Sequence, residues 1–142
     1  MIVCQLYTKE IEEYANISIK NVSSYCDKSG YSYRLLEDIR NFGRHPSWNR
    51  VPFLLNIMSS TKEDEWLAWI DVDILIMNFS LDLNQICSRK KEFDLIIGCQ
   101  GFGRAFDNDF ADCLNFGFFF MKNTEWSRNL LKDLWLWTKG EY

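Results

Sequence analysis

Two carboxylates one residue apart, Asp71 and Asp73, close the apolar run Trp66-Leu67-Ala68-Trp69-Ile70. Like charges a few ångströms apart raise each other's pKa unless a cation neutralises them. A hard divalent cation prefers oxygen ligands, and Mg²⁺ or Mn²⁺ held there would carry the phosphates of a nucleotide. The apolar run reads as a short buried strand. In α/β sheets ligands collect at the carboxyl ends of strands, where this pair would lie. Asp-x-Asp is also a short pattern. The same residues could simply start a turn, one of them capping a local backbone group.

The elements that would position this pair alternate along the chain. Residues 2–8 are β-rich and apolar. Over residues 11–25 the apolar positions Ile11, Tyr14, Ala15, Ile19 and Val22, with Cys26 just beyond, follow a helical stripe, and Gly30 is available for a left-handed cap. A strand is expected over 31–36, and a polar loop with Gly43 and Pro46 over 41–48. A helix over 51–61 has Pro52 in its first turn. After the strand 66–70, the apolar run continues through 74–77. A short helix over 81–88 and a strand over 93–98 follow. A long polar loop is expected over residues 100–112, of the kind that is usually functional or mobile. A strand over 114–121 has Asn115 and Gly117 near its start. The last helix, 124–137, places Trp126, Leu130, Leu131, Leu134 and Trp137 on one face, with Asn123 or Thr124 as its cap. This alternation predicts an α/β fold, a mostly parallel sheet flanked by helices, in one domain over residues 1–142.

Composition narrows the function. The 142 residues are 47% hydrophobic and 25% charged, a globular balance rather than a disordered one. The aromatic share of 16% supplies a large core and suggests aromatic surface left for a ligand, a partner or a missing piece of fold. Net charge is −4 and the longest basic run is Arg89-Lys90-Lys91, which argues against a nucleic-acid groove. No window has the roughly 18 apolar residues of a membrane helix. The first residues lack the pattern of a signal peptide, so a cytoplasmic protein is expected. The five cysteines are scattered without a Cys-x-x-Cys pair, which points to reduced thiols rather than a zinc site or disulfide framework. The sequons at Asn16, Asn21 and Asn78 would matter only in a secretory lumen.

Four stretches, in order and covering nearly the whole chain, resemble glycosyltransferase family 34, the galactosyl, mannosyl and xylosyl transferases. They are residues 21–33, with Ser29 where the family usually has His; Trp48-Asn49-Arg50-Val51-Pro52, with Arg50 at the family's basic position; residues 66–78, which carry Asp71 and Asp73; and residues 114–127, which carry Asn115 and Gly117. The resemblance implies a GT-A fold, a Rossmann-like sheet that binds a nucleotide-sugar. Asp73 would be the direct ligand of Mn²⁺ or Mg²⁺, and Asp71 would meet the metal or the ribose. Tyr7 and Thr8, at the end of the first strand, would seat the nucleoside. Arg50 would meet the diphosphate or the sugar, since a guanidinium fork suits phosphate. Asn115 and Gly117 would line the sugar side, with Asn115 counted among the catalytic residues beside Asp71 and Asp73. Gln100 and Asp112 would border the same cleft. The implied reaction moves a sugar, with retention, from a nucleotide-sugar donor, UDP-linked by default, to a glycan hydroxyl.

The family continues past its Trp-Ser helix to an acidic segment and a late His that completes the metal site. The sequence stops at Tyr142, before either. A shortened member is therefore expected, with a homo-oligomer as one way to cover its last helix. His45, the sole histidine, reads as a loop or surface residue. Two other functions compete. One is a remnant that binds nucleotide-sugar or glycan without transfer. The other is a haloacid-dehalogenase-type phosphatase, which also uses Asp-x-Asp but on its first strand, followed by Gly or Thr.

Overall fold

The computed structural model describes residues 1–38, 43–99 and 114–137. The strands are β1 (Ile2–Tyr7), β2 (Ser32–Glu37), β3 (Trp66–Ile70), β4 (Leu95–Cys99) and β5 (Leu114–Lys122). The helices are α1 (Glu12–Ser29), α2 (Arg50–Ser59), α3 (Leu83–Ser88) and α4 (Glu125–Trp137). The strands form one sheet in the order β2-β1-β3-β5-β4. β1 is parallel to both β2 and β3, whereas β5 is antiparallel to β3 and to β4. Four strands therefore share a direction and only β5 opposes them, in agreement with the mostly parallel α/β sheet expected.

Strand alternation sorts the core into two layers. Ile2, Cys4 and Leu6 of β1 join Leu67 and Trp69 of β3 against Val51, Leu54 and Met58 of α2 and Leu131 of α4. On the other face Val3, Ala68, Ile70 and Phe120 pack with Val22, Tyr25 and Cys26 of α1 and with Leu83 and Cys87 of α3. β1 and β3 are buried almost throughout because both faces are covered. Burial holds the Cys4 and Cys26 thiols up at about 12, so both remain protonated. α1 ends where the sequence indicated: Gly30 takes φ of 70°, and its N–H bonds the Cys26 carbonyl.

β3 ends at Ile70, and the apolar run of residues 74–77 lies outside it. The Ile74 N–H bonds the Asp71 carbonyl, 3.1 Å, in a turn. The backbone then leaves the sheet, and Leu75 and Met77 are exposed. These residues are anchored to α1 instead, through side chains on main chain, which apolar patterning does not register. The apolar face of α4 is covered only in part. Leu131 is buried, but Trp126 is 51% and Trp137 63% exposed. Of the two cap candidates, Thr124 caps α4, its Oγ1 accepting from the Ser127 N–H at 3.3 Å.

Asn123 is fully buried and ties α4 to the end of α2. Its Nδ2 faces the carbonyls of Met58, Thr61 and Lys62 and the Thr61 hydroxyl at 2.9–3.3 Å. Its Oδ1 accepts from Arg128 Nη1 at 2.7 Å. Truncation leaves several buried acceptors unpaired, each costing about 1–3 kcal/mol. Asn123→Ala is expected to lower the unfolding free energy by about 3 kcal/mol. Urea denaturation checks this, with a lower midpoint at unchanged slope as the expected result.

Candidate functional site

The carboxyl ends of β1 and β3 and the beginning of β5 meet on one edge of the sheet. Because β5 is antiparallel to β3, Ile70 pairs with Phe118. The first residues of β5 thus lie beside the last of β3. A register shift between Ile97 and Gly98 skips residues 116–118 on the β4 side. That leaves Gly117 free to accept from the Asp71 N–H at 2.8 Å.

Asp71 is half-buried and specifically held. Trp69 Nε1–H donates to its Oδ1 at 2.6 Å, and Arg50 Nη1 lies 3.8 Å from the same oxygen. Arg50 is itself fixed: Nε donates to the Ser47 carbonyl at 2.7 Å and Nη1 to the Phe116 carbonyl at 2.8 Å. Its guanidinium carbon lies 5.3 Å from the Trp69 ring centroid. Trp69 in turn packs against Phe53 and stacks on Phe119. Asp73 is exposed, one residue beyond the buried Val72.

Two crevices flank the acidic pair. One, of about 390 Å³, runs to the end of β1 and is lined by Tyr7, Thr8, Tyr14, His45 and Ser47 together with Arg50, Asp71 and Asp73. The other, of about 510 Å³, runs to β5 and is lined by Asn115, Phe116 and Gly117 with the same Arg50, Asp71 and Asp73. The structure therefore brings together Tyr7, Thr8, Arg50, Asp71, Asp73, Asn115 and Gly117, all expected from sequence. Gln100 and Asp112 lie outside the described residues. Sequence reasoning missed Trp69, whose indole orients Asp71, and Ser47, which anchors Arg50. The missing signal was proximity: Trp69 had been read only as strand core.

The chemistry of these groups suits a divalent cation. Asp71 and Asp73 offer hard oxygen donors on a common edge. Gly117 keeps Asp71 Oδ2 uncovered, since a β-carbon there would lie 3.3 Å from that oxygen and 3.0 Å from Asn115 Oδ1. Among the described residues no third His, Cys, Asp or Glu joins the pair as a cluster.

The sequence profile of the galactosyl transferase GMA12/MNN10 family matches residues 2–97. The chain belongs to this family. An alpha-1,2-galactosyltransferase of Schizosaccharomyces pombe is 29% identical over 88% of the chain and 40% of its own length. A probable glycosyltransferase 2 of Oryza sativa subsp. indica is 31% identical over 87% of the chain and 25% of its own length. The chain thus spans between a quarter and two-fifths of these two relatives. Among solved structures, a glycosyltransferase involved in glycosylation of the major capsid of PBCV-1 superposes with a TM-score of 0.73 at 15% identity, covering 94% of this chain and 64% of that one. The galactosyltransferase LgtC, bound to donor and acceptor sugar analogs, superposes with a TM-score of 0.58 at 11% identity, over 99% and 66% of the two chains. The fold of this family member is GT-A. The phosphatase alternative falls with the family match, and the acidic pair ends the third strand, not the first. No helix among the described residues is long and apolar enough to cross a membrane.

Two outcomes follow from the geometry. Gly117→Ala forces Asn115 and Asp71 to shift, at a typical overpacking cost of about 1–3 kcal/mol. Manganese affinity, read from the free-ion electron paramagnetic resonance signal, is expected to fall about tenfold. The second concerns pH. Burial raises the Asp71 carboxyl above its ordinary value, opposed by Arg50 and the Trp69 N–H and reinforced by Asp73. A raised carboxyl pKa means the native state holds the proton more tightly than the unfolded chain. Its contribution is complete below the ordinary value of about 3.9 and is lost as pH rises through the raised value. Metal-free Asp71→Asn is expected to lack this loss. Melting temperatures of both proteins from about pH 3.5 to 6.5 check it, the wild-type curve falling relative to the variant as pH rises.

Proposed function

We propose that this protein is a metal-dependent glycosyltransferase that moves a sugar from a nucleotide-sugar, UDP-linked, to a glycan hydroxyl with retention at the anomeric carbon. Residues 1–142 act as one donor-binding unit. One observation carries the reading: in a member of the GMA12/MNN10 family, Asp71 and Asp73 sit where two crevices join, one running to the end of β1 and the other to the start of β5.

In this reading Tyr7 and Thr8 seat the nucleoside at the β1 end. Asp73 and Asp71 hold Mn²⁺ or Mg²⁺. Arg50, pre-oriented by two carbonyls and the Trp69 ring, presents its cation to the diphosphate. Asn115 and Gly117 frame the sugar on the β5 side. When bound, the cation supplies Lewis acidity to the leaving diphosphate. The bond from the anomeric carbon to the diphosphate breaks, the bond to the acceptor oxygen forms on the same face, and the acceptor proton passes to the departing diphosphate. Positioning is the main task of these residues. Holding donor and acceptor at near-attack distance supplies much of the barrier reduction in two-substrate reactions.

The test is a thermal-shift series with UDP- and GDP-sugars, each with and without Mn²⁺, on wild type and Asp73→Ala. One nucleotide class is expected to stabilise the wild type only when metal is present. At a hundredfold excess over the dissociation constant the gain is about 2.7 kcal/mol. Asp73→Ala is expected to lose that gain while melting at the wild-type temperature without ligand. Equal shifts in both proteins would remove Asp73 from the donor site. Hydrolysis or transfer of the stabilising donor separates an enzyme from a binding remnant.

A further inference from the structure

His45 opens a tight 3-10 turn, Pro46–Asn49, that leads straight into α2. Its ring is held at one nitrogen. The Ser47 backbone N–H donates to Nδ1 at 3.3 Å, and the Ser47 hydroxyl lies 2.8 Å from the same atom. A backbone amide can only donate, so Nδ1 is the acceptor and carries no proton. In a neutral imidazole the proton then belongs to Nε2, because the bond made by one nitrogen fixes the other. Pro46 pre-sets the backbone of the turn. From the next residue, the Ser47 carbonyl fixes Arg50 through Nε at 2.7 Å. One short turn therefore orients both side chains. Both line the crevice shared with Asp71, Asp73, Tyr7 and Thr8.

We infer that His45 is a donor-site residue whose Nε2–H hydrogen-bonds an anionic oxygen of a nucleoside diphosphate, and that it is not a ligand of the cation. The assignment rests on the donor-site reading above and adds a residue to it. The capped Nδ1 is occupied, and Nε2 carries a hydrogen where a metal ligand needs a lone pair. Of the two basic side chains among the described residues lining this crevice, Arg50 already gives donors to two backbone carbonyls. His45 Nε2–H has no such commitment to the main chain or side chains of the described residues, so it remains available to an incoming acceptor.

Two substitutions separate the two ring nitrogens. His45→Asn keeps an acceptor for the Ser47 N–H and removes the outer donor. His45→Gln removes the near acceptor and keeps an amide donor close to the place of Nε2. Calorimetric titration of tag-free protein with UDP and GDP in the presence of Mn²⁺ is the primary measurement, with Mn²⁺ alone as the second arm. His45→Asn is expected to bind the preferred diphosphate about tenfold more weakly, as for one lost charge-assisted hydrogen bond. Manganese alone should bind it as it binds wild type. His45→Gln should stay within about threefold of wild type for the diphosphate. The opposite order, with Asn like wild type and Gln weak, reduces His45 to a structural cap and overturns the assignment. Parallel loss of manganese alone makes it a metal ligand, which overturns it also. A wild type that binds neither diphosphate overturns the donor-site reading itself, and this assignment with it. Because the chain has a single histidine, ring ¹⁵N spectra report the tautomer directly. A proton on Nδ1 instead of Nε2 in the neutral ring would likewise overturn the assignment.

Discussion

Beyond the bond from the Asp71 N–H to the Gly117 carbonyl of β5, the position of the acidic turn after β3 depends on side chains that bond its backbone from the α1 side of the sheet. Gln5, fully buried in β1, directs Nε2 toward the Ser18 hydroxyl at 3.0 Å and the Asp71 carbonyl at 3.4 Å, while its Oε1 accepts from the Tyr33 hydroxyl at 2.6 Å. The Ser18 hydroxyl in turn donates a hydrogen bond to the Ile74 carbonyl at 2.6 Å. One turn further along α1, Asn21 both donates to the Ile76 carbonyl and accepts from the Ile76 N–H, imitating a strand partner. Tyr25 then reaches the Leu81 carbonyl, and Tyr31 accepts from the Leu83 N–H. Any one of these bonds adds only about 1 kcal/mol. Their joint effect is geometric. Residues 71–83 can leave the sheet without abandoning their buried main-chain groups, so the carboxylates protrude from a fixed base.

The same pins explain which parts of the sequence could be read directly. Buried strands, the Gly30 cap and the order of the elements follow from local pattern, because each depends on neighbours within a few residues. The position of Asp71 at a strand end was equally plain, since an apolar run stopped there. The path of residues 74–77 was not. Its partners lie 55 and 56 residues away in sequence, and a run of apolar residues looks the same whether a ladder or a helix holds it. Asn21, read first as one sequon among three, uses both polar atoms of its side chain on Ile76, a role no tripeptide pattern contains. Trp69 was legible as core but not as the donor that orients Asp71. Helical spacing placed Trp126 and Trp137 on the apolar face of α4, where they stand exposed while Leu131 is buried.

Electrostatics at the site follow from where the positive charge is placed. Asp71 is shielded enough that burial favours its neutral form, and Arg50 is shielded enough that burial weakens its hold on the proton. Their separation of 3.8 Å is a loose ion pair rather than a fork-to-fork one. The guanidinium spends its directed hydrogen bonds on two carbonyls, which fix its orientation without cancelling its charge. The indole of Trp69 takes over the directional bond to Asp71. Orientation and charge compensation are thus carried by different residues, and the cationic field of Arg50 stays turned toward both crevices.

The reversed direction of β5 makes the two crevices one site. In an all-parallel sheet the strand beside β3 would bring its carboxyl end to this edge, and a following helix with it. An antiparallel neighbour brings its beginning instead. The residues that arrive are Asn115, Phe116 and Gly117, which precede the tightly paired part of β5. The register shift opposite Gly98 then releases residues 116–118 from β4. Asn115 Oδ1 takes up the Gly117 N–H at 2.8 Å, while the Gly117 carbonyl binds Asp71 and the Phe116 carbonyl binds Arg50. Three consecutive residues thereby bridge the acidic pair and its guanidinium, and a side chain at the third would stand in the space that Asp71 Oδ2 faces. Glycine at this position is required by a close approach rather than by backbone torsion, which is why the Asn-x-Gly spacing carries information that neither residue carries alone.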